Sequence, residues 1–279
     1  MVVYAGQGDP RRSMQLLWRD HEPAERTGPG PRAQLSVDLV VETAIAVADA
    51  EGLQALSMRA VGERLGRTAM SLYTYVASKN ELVDLMYDHS FAELVREWEE
   101  TTGPASLGAG TDRTEWREEV LAWSGQLWRF YLRHPWTLDI SAARPVLGPH
   151  EYRLFESLAT VLYGAGLPAK AVGGAYNSIV NLVRGMVRTA AEARQAEAVT
   201  GQPEDQWWFA RSAQLEEIVD DFSERFPTLT LMTEQGAFDN ADSTAPYLEQ
   251  EAWESFQFGL DALLDGVGGR IAAASDTPA

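Results

Sequence analysis

The sequence contains no cysteine, which excludes disulfide scaffolds, thiolate metal sites and cysteine nucleophiles. A chain of 279 residues has no need of disulfides, and their absence is typical of the reducing cytoplasm. The chain also lacks any run of about 18 uninterrupted apolar residues, and its first residues lack the apolar core of a signal peptide. These absences predict a soluble cytoplasmic protein that does not associate with membranes.

Residues suited to catalysis are scarce. There are four histidines, and the sequence has no nucleophile elbow, phosphate-binding loop, His-Glu-x-x-His zinc motif or dinucleotide fingerprint. Paired carboxylates such as Glu118-Glu119 and Asp220-Asp221 lie in helical patterns, where such pairs usually form solvated faces. The sequence therefore predicts that the protein is not an enzyme and needs neither a metal nor a cofactor.

Acidic residues outnumber basic ones, with 41 Asp and Glu against 23 Lys and Arg and a formal net charge of −18. That total argues against a nucleic-acid partner, but the balance reverses between residues 57 and 79, where four cations face one acid, +4 − 1 = +3. The cations are Arg59, Arg64, Arg67 and Lys79, and the acid is Glu63. A small basic surface on an acidic body can dock on phosphates while the body resists indiscriminate coating of DNA.

Apolar residues recur at helical spacing along the chain, and no segment alternates as a strand would, so the sequence predicts an all-α fold. Residues 1–35 are predicted to be a flexible arm, with or without one short helical turn, and the apolar residues Leu16, Leu17 and Trp18 suggest that part of it docks on another surface. Pro227 to Pro246 is predicted to be a polar connection that is either a lid or a loose linker. The predicted helices cover 36–52, 58–65, 68–76, a long segment from residue 78, and then 112–133, 150–163, 169–198, 205–225 and 247–264.

The most informative segment runs from Leu56 to Glu81. Ser57 is a good cap for a short helix, the turn at Gly66 follows, and a second short helix comes next. Ser78 and Glu81 have the spacing of a capping box that opens the long helix. Two short helices joined by a tight turn form a helix-turn-helix, whose second helix enters the major groove of DNA.

These residues resemble the TetR family of repressors. The matching positions are Ser57, Arg59, the pair Leu65-Gly66, the stretch from Ser71 to Val76, and Lys79. The resemblance covers about residues 35–94 closely and the rest more loosely. It implies a three-helix DNA-binding domain over residues 36–80 and a larger helical domain for effector binding and dimerisation over residues 81–279.

The resemblance also implies which residues contact DNA. Those expected at base edges are Thr68, Ala69, Met70 and Ser71. Tyr73, Tyr75 and Lys79 are expected on phosphates, with the helix start at Ser57 on another phosphate. Arg59 is expected on a phosphate or a guanine, and Thr74 completes the candidate set. In the arm, Arg11 and Arg12 either enter a minor groove or belong to a disordered tail.

Aromatic residues are abundant in the second half, which suits either a planar ligand or ordinary core packing. The candidate ligand-binding residues are Trp123, Trp128, Tyr131, Trp136, Tyr152, Tyr176, Asn177, Asn181 and Arg184. The last three share one helix face, which faces either a pocket or an interface. Val95, Ile140 and Trp123 stand where tetracycline-binding relatives have polar ligands, which argues against a metal-chelate effector.

The predicted function is a repressor released from a palindromic operator by an aromatic, polyketide-like effector, controlling an exporter or biosynthetic gene. The predicted homodimer packs residues 169–198 and 247–264 as a four-helix bundle across a two-fold axis. Two alternatives stay open, a helical interaction protein that does not bind DNA and an activator of the same fold. An enzyme ranks below all of these.

Overall fold

The computed structural model describes residues 3–19, 35–103, 115–239 and 246–275, and within these ranges every regular element is a helix, which confirms the all-α prediction. None of the helices in these ranges is long and apolar enough to span a membrane. The helices are α1 (Pro10–Leu17), α2 (Val37–Glu51), α3 (Met58–Leu65), α4 (Ala69–Leu72), α5 (Lys79–Thr102), α6 (Trp116–Arg133), α7 (Pro149–Gly164), α8 (Ala169–Thr200), α9 (Glu204–Ile218), α10 (Phe222–Arg225), α11 (Pro227–Glu234) and α12 (Tyr247–Ser275), with a 3₁₀ turn at Pro135–Asp139.

The chain divides into two compact units. The first comprises Met1–Arg184 and Ala262–Ala279, and the second comprises Gly185–Asp261. The first unit contains the predicted helix-turn-helix and all nine predicted ligand-binding residues, so it positions both candidate sites.

The helix starts at the front of the first unit are set by serine caps. The hydroxyls of Ser36, Ser57 and Ser78 each accept a hydrogen bond, at 3.1 Å, from the backbone N–H three residues further on. These bonds satisfy backbone donors that a helix start leaves unpaired. The predicted starts of α2, α3 and α5 are therefore confirmed. The second helix of the motif, α4, is shorter than the predicted 68–76, because turns that bond back to Leu72 follow it.

Helix α5 is the central element of the first unit. It packs against α1, α2, α6 and α7, and both apolar residues and the carboxylates of Asp84 and Asp88 are buried along it. Since α5 begins just after the helix-turn-helix and runs into the core, a single helix extends from one candidate site to the other.

Residues 3–19 are ordered, which contradicts the predicted flexibility but agrees with the short helical turn and the docking of apolar residues. Asp9 caps α1 by accepting from the backbone N–H of Arg12 at 2.8 Å, and Leu17 is buried against the rest of the unit. Val3 forms an isolated parallel bridge with Ile140. The apolar side chains of this segment, such as Leu17, pack against the first unit, whereas those of a flexible arm would stay in solvent. Residues 20–34, the remainder of the predicted arm, lie outside the described residues.

The second unit has a small core formed by the end of α8 and the start of α12. Val187, Phe256 and Leu260 are buried there. The guanidinium of Arg194 forms a bidentate ion pair with the carboxylate of Glu249, with N–O distances of 2.8 and 2.6 Å. By contrast, α9, α10 and α11 contain no buried residue. The predicted polar connection from 227 to 246 is wrong over its first part, where Pro227 starts α11.

Candidate DNA-binding surface and effector pocket

The turn between α3 and α4 depends on two glycines. Gly66 has φ +63°, a left-handed conformation that side chains rarely adopt. At Gly62 an added Cβ would stand 2.8 Å from the carbonyl oxygen of Arg67 and 3.3 Å from the backbone nitrogen of Ala69. Only glycine lets the two helices approach this closely, so the sequence dictates the angle at which α4 is presented.

The outer face of α4 is exposed. Met70 is 77% exposed and Tyr73 is 44% exposed, whereas Leu72 between them is fully buried and anchors the helix. Arg59, Thr68, Thr74 and Lys79 are also exposed, and Ser57, Ala69, Ser71 and Tyr75 are half-buried. All ten predicted DNA-binding residues therefore have some accessible surface.

Several polar side chains of this face hydrogen-bond locally. The hydroxyl of Ser71 donates to the carbonyl of Thr68 at 2.7 Å, and that of Thr74 donates to the carbonyl of Ser71 at 2.7 Å. Arg59 pairs with Glu63 at 2.8 Å. These bonds use the hydroxyl hydrogens of Ser71 and Thr74 within the motif and leave their oxygens able to accept, while the Glu63 carboxylate occupies the guanidinium of Arg59.

A cavity of about 390 Å³ lies in the same unit, among α5, α6, α7, the start of α8 and the segment from 141 to 147. Six of the nine predicted ligand-binding residues line it, namely Tyr131, Tyr152, Tyr176, Asn177, Asn181 and Arg184. The prediction missed much of the lining, including Tyr87, Phe91, Leu127, Arg144, Leu147, Glu151, Leu154 and Phe155.

The three predicted tryptophans do not line this cavity. Trp123, Trp128 and Trp136 are all buried in the core. The indole N–H of Trp123 donates to the Ser157 hydroxyl at 2.9 Å, and that of Trp136 donates to Asp49 at 2.8 Å. Because the core satisfies these polar groups, the rings of Trp123 and Trp136 act as packing, not as ligand walls.

The cavity walls combine aromatic surface with a few polar groups. Tyr176 meets Phe155 edge-on, with ring centroids 4.6 Å apart. Burial raises the pKa of Tyr87, Tyr131 and Tyr176, so their phenols keep their protons as potential donors at neutral pH. No group of His, Asp and Glu suited to a metal ion occurs in the described part of the chain.

Arg184 lines the cavity, but its guanidinium is also bonded to the backbone of a neighbouring segment. Its guanidinium donates to the carbonyl of Leu138 at 2.9 Å and to that of Ile140, and lies over the ring of Tyr131 at 5.8 Å. It therefore ties α8 to the end of the 3₁₀ turn. Asn181 likewise donates to the carbonyl of Asn177, at 2.8 Å along its own helix.

Leu147, at the cavity rim, has φ +62°, the only positive φ among the described residues other than glycine. Its backbone N–H donates to Glu151 Oε2 at 2.7 Å. Burial raises the pKa of the Glu151 carboxyl, while the hydrogen bond from Leu147 opposes that rise. The rim is thus held by a carboxyl group that also faces the cavity.

A direct connection runs from this rim to α5. Oδ1 of Asp88 accepts from the backbone N–H groups of His150 at 3.0 Å and Glu151 at 2.9 Å, and Oδ2 contacts His150 Nδ1 at 2.9 Å. Asp88 therefore caps the start of α7 from a neighbouring helix. Gly148 leaves space for this carboxylate, since a Cβ there would lie 2.1 Å from Oδ1. No sequence motif signals this cap, because its partners His150 and Glu151 lie 62 and 63 residues after Asp88 in the chain.

A second cleft of about 490 Å³ separates the start of α8 from the end of α12. Its lining is dominated by small residues and includes Ala171, Gly174, Ala175, Ser178, Ala262 and Gly266. Such a surface offers close approach to another helix but has none of the aromatic walls of the first cavity.

Comparison with known proteins matches both parts of the chain. Residues 40–86 match the family described as bacterial regulatory proteins, tetR family, and residues 109–271 match the tetracyclin repressor-like C-terminal domain. The chain is 35% identical over 263 residues to the HTH-type transcriptional repressor DrrR1 of Streptomyces coeruleorubidus, covering 94% of this chain and 87% of that protein.

Two solved structures share the fold. Apo ActR from Streptomyces coelicolor is 24% identical, with a TM-score of 0.60 over 88% of this chain and 100% of ActR. ActR in complex with actinorhodin is 23% identical, with a TM-score of 0.62 over 84% of this chain and 96% of ActR.

Proposed function

Because the chain belongs to the TetR family of DNA-binding transcriptional regulators and not to a family of enzymes, we propose that it is a ligand-responsive repressor in the cytoplasm. A homodimer binds a palindromic operator and leaves it when a planar aromatic, polyketide-like effector fills the cavity. The target is an exporter or biosynthetic gene. The observation that carries this proposal is an exposed recognition helix joined through α5 to an aromatic-lined cavity.

DNA binding uses the exposed face of α4 and its flanks. Met70 reaches a thymine methyl group, and the accessible hydroxyl groups of Thr68 and Ser71 pair with base edges. Tyr73 and Lys79 hold phosphates and set the register of the head on the duplex. The boundary between the head and the effector domain falls near residue 80, within the first turn of α5.

The effector is bound by ring stacking in the cavity, with buried phenols fixing its orientation. The curated relative DrrR1 is named a repressor, and the neighbour ActR was solved with actinorhodin, which supports a polycyclic aromatic compound as the effector class. A ligand that displaces Glu151 or Leu147 shifts the start of α7, and the cap on Asp88 passes that shift to α5. Release of DNA requires the effector to bind one position of α5 more tightly than the other.

The homodimer uses α8 and α12, over residues 169–198 and 247–264. The cleft of small residues at the start of α8 gives a second copy room for close helix contact. Two heads placed one turn of DNA apart, about 34–36 Å, then read the two halves of a palindrome.

The test is operator binding by the full chain, measured on DNA from its own upstream region across a salt series. The Tyr73→Phe/Lys79→Ala variant is expected to bind at least tenfold more weakly and to lose about two units of salt slope, because one cationic phosphate contact is gone from each of the two heads. Arg96→Ala is the matched control, since it removes an exposed cation of α5 that lies outside the helix-turn-helix. Actinorhodin is the first effector to add.

Each outcome decides between the open alternatives. Tight binding that the double variant weakens and the control does not supports a DNA-binding regulator, and a promoter reporter then separates repression from activation. If the wild type binds no upstream or palindromic DNA at low salt, the helical interaction protein becomes the better account.

A further inference from the structure

The segment of residues 3–19, here called the N-terminal segment, contacts the cavity rim. The indole N–H of Trp18 donates to the carbonyl of Leu147 at 2.9 Å, and its ring lies 6.0 Å from that of Tyr152. Leu147 and Tyr152 line the cavity, but Trp18 does not. The N–H of Leu147 is held by Glu151 and its carbonyl by Trp18, so both sides of this left-handed residue are fixed. Such a conformation persists only where its surroundings impose it.

The start of the N-terminal segment contacts the other side of the same rim. Val3 accepts from the backbone N–H of Ser141 at 2.8 Å and donates to the carbonyl of Asp139 at 2.9 Å. The guanidinium of Arg144 lies over the ring of Tyr4 at 5.8 Å. The segment therefore contacts both ends of residues 139–147, a stretch that supplies Ser141, Ala142, Arg144, Pro145 and Leu147 to the cavity lining.

The middle of the N-terminal segment is anchored to α5. The backbone N–H of Gly6 donates to both carboxylate oxygens of Asp84, at 3.0 and 3.2 Å. Arg12 pairs at 3.2 Å with Glu81, whose side chain is almost fully buried. Glu81 also accepts from the backbone N–H of Ala77, at the end of the helix-turn-helix. One segment thus touches the cavity mouth and the beginning of the helix that carries the DNA-binding head.

We propose that Trp18 is a positioning residue for the effector pocket, and that the N-terminal segment holds the rim in register with α5 instead of reaching for DNA. This inference rests on the proposed function in so far as the cavity is an effector site. The N-terminal segment then does not bind the minor groove, because Arg12 forms an ion pair with Glu81 and Trp18 is hydrogen-bonded to the rim.

The experiment uses the full chain and three variants. Trp18→Phe keeps an aromatic ring but removes the N–H donor, Trp18→Ala removes both, and Arg11→Ala changes an exposed residue of the same helix as control. Amide hydrogen exchange of residues 145–152 is compared with that of α6, without any ligand. The affinity for 1-anilinonaphthalene-8-sulfonate, a fluorescent aromatic anion, is measured alongside operator binding.

We expect Trp18→Phe to raise exchange at the rim and the dissociation constant for the probe by roughly three- to tenfold, the worth of one hydrogen bond. Operator affinity, α6 exchange and all properties of Arg11→Ala stay at wild-type values. In a Leu147→Gly background the effect of Trp18→Phe shrinks below about twofold, because glycine adopts a positive φ unaided.

Unchanged rim exchange in both Trp18 variants overturns the proposal. So does a loss of operator affinity in Arg11→Ala, which would make the segment a DNA-binding arm. Absence of operator binding by the wild type refutes the proposed function alone, since rim exchange is measured without DNA or ligand.

Discussion

Nδ1 of His134 lies 2.7 Å from Oδ1 of Asp49, which connects the end of α6 to the first helix of the DNA-binding head. Nε2 of the same imidazole lies 3.0 Å from Glu93 on α5. His134, at the end of α6, therefore contacts α2 of the head through Asp49 and α5 through Glu93. Any movement of α5 relative to the head must change at least one of these two contacts.

The His134 contacts predict a pH-dependent stability. Burial alone would lower the pKa of His134, but hydrogen bonds and charge interactions with Asp49 and Glu93 outweigh it and raise the pKa above 6.5. The protonated form is favoured in the folded state, so its contribution is complete below pH 6.5 and is lost as pH rises through the folded pKa. Thermal unfolding should show His134→Asn losing more stability at pH 6 than at pH 9. Equal losses at both pH values would contradict the assignment.

Asp84 predicts a second pH dependence in a lower window. Burial raises the pKa of Asp84 from 3.8 to about 6, while the hydrogen bond from Gly6 opposes the rise and Glu81 adds to it. Ionisation therefore costs the folded state, and the advantage of the protonated form is lost as pH rises through about 6. The stability of Asp84→Asn relative to wild type should increase between pH 4 and pH 7 in denaturant unfolding. A pH-independent difference would show that Asp84 titrates normally.

The close approach at Gly62 predicts that Gly62→Ala destabilises the head by about 1–3 kcal/mol, because the new methyl group meets a backbone carbonyl and not a movable side chain. Gly125→Ala is the matched control in α6, where an added Cβ meets only the end of Arg129 at 3.7 Å. The control should be neutral or more stable by up to about 1 kcal/mol, since alanine is the better helix former. Urea unfolding measures both, and similar values for the two would contradict the packing argument.

Asp88→Ala should reduce stability by about 1–3 kcal/mol, because it leaves the backbone N–H groups at the start of α7 without their acceptor. Asp88→Asn keeps an acceptor oxygen and should retain most of that stability. If the cap also transmits the effector signal, Asp88→Ala should need more effector to leave the operator, as a titration of the DNA complex would show. Release at the wild-type effector concentration would place transmission elsewhere.

The cavity predicts which aromatic residues matter for the effector. Tyr176→Ala removes a wall and its edge contact with Phe155, so the affinity for an aromatic effector should fall roughly tenfold, or about 1.4 kcal/mol. Trp128→Phe changes a buried ring outside the lining and should leave that affinity within about twofold. Fluorescence or calorimetric titration separates the two. An equal loss in both variants would mean that the site lies elsewhere.

The elements of the head could be predicted because their signals are local. Ser57 and Ser78 cap the helices that follow them, and Gly66 allows the turn, so a few adjacent residues determine each start. The length of α4 was less predictable. After Leu72 the backbone N–H groups of Tyr75 and Val76 both donate to the Leu72 carbonyl, which forms turns where a continuing helix was predicted. Boundaries of short helices depend on such small differences.

The pocket was predictable in type but not in detail. Tyr131 and Tyr176 line it, whereas Trp123 faces Ser157 in the core, and no helical spacing distinguishes those environments. Glu151 and Asp88 were missed because their roles arise from a contact between α5 and α7. The docking of Trp18 was equally hidden, since its partner Leu147 is 129 residues away. Only the apolar residues next to Trp18, Leu16 and Leu17, indicated that this part of the chain packs against another surface.

That separation has a consequence for how the chain is made. The N-terminal segment precedes the head in synthesis, but its partners at 139–152 follow more than a hundred residues later. Its contacts with the rim must therefore wait while the head assembles, and closing so long a loop makes this part of its docking a late step in folding. Segments that join last are also among the first to open in the native state. One side of the pocket rim therefore depends on a segment near the chain terminus, and such segments open more readily than the core does.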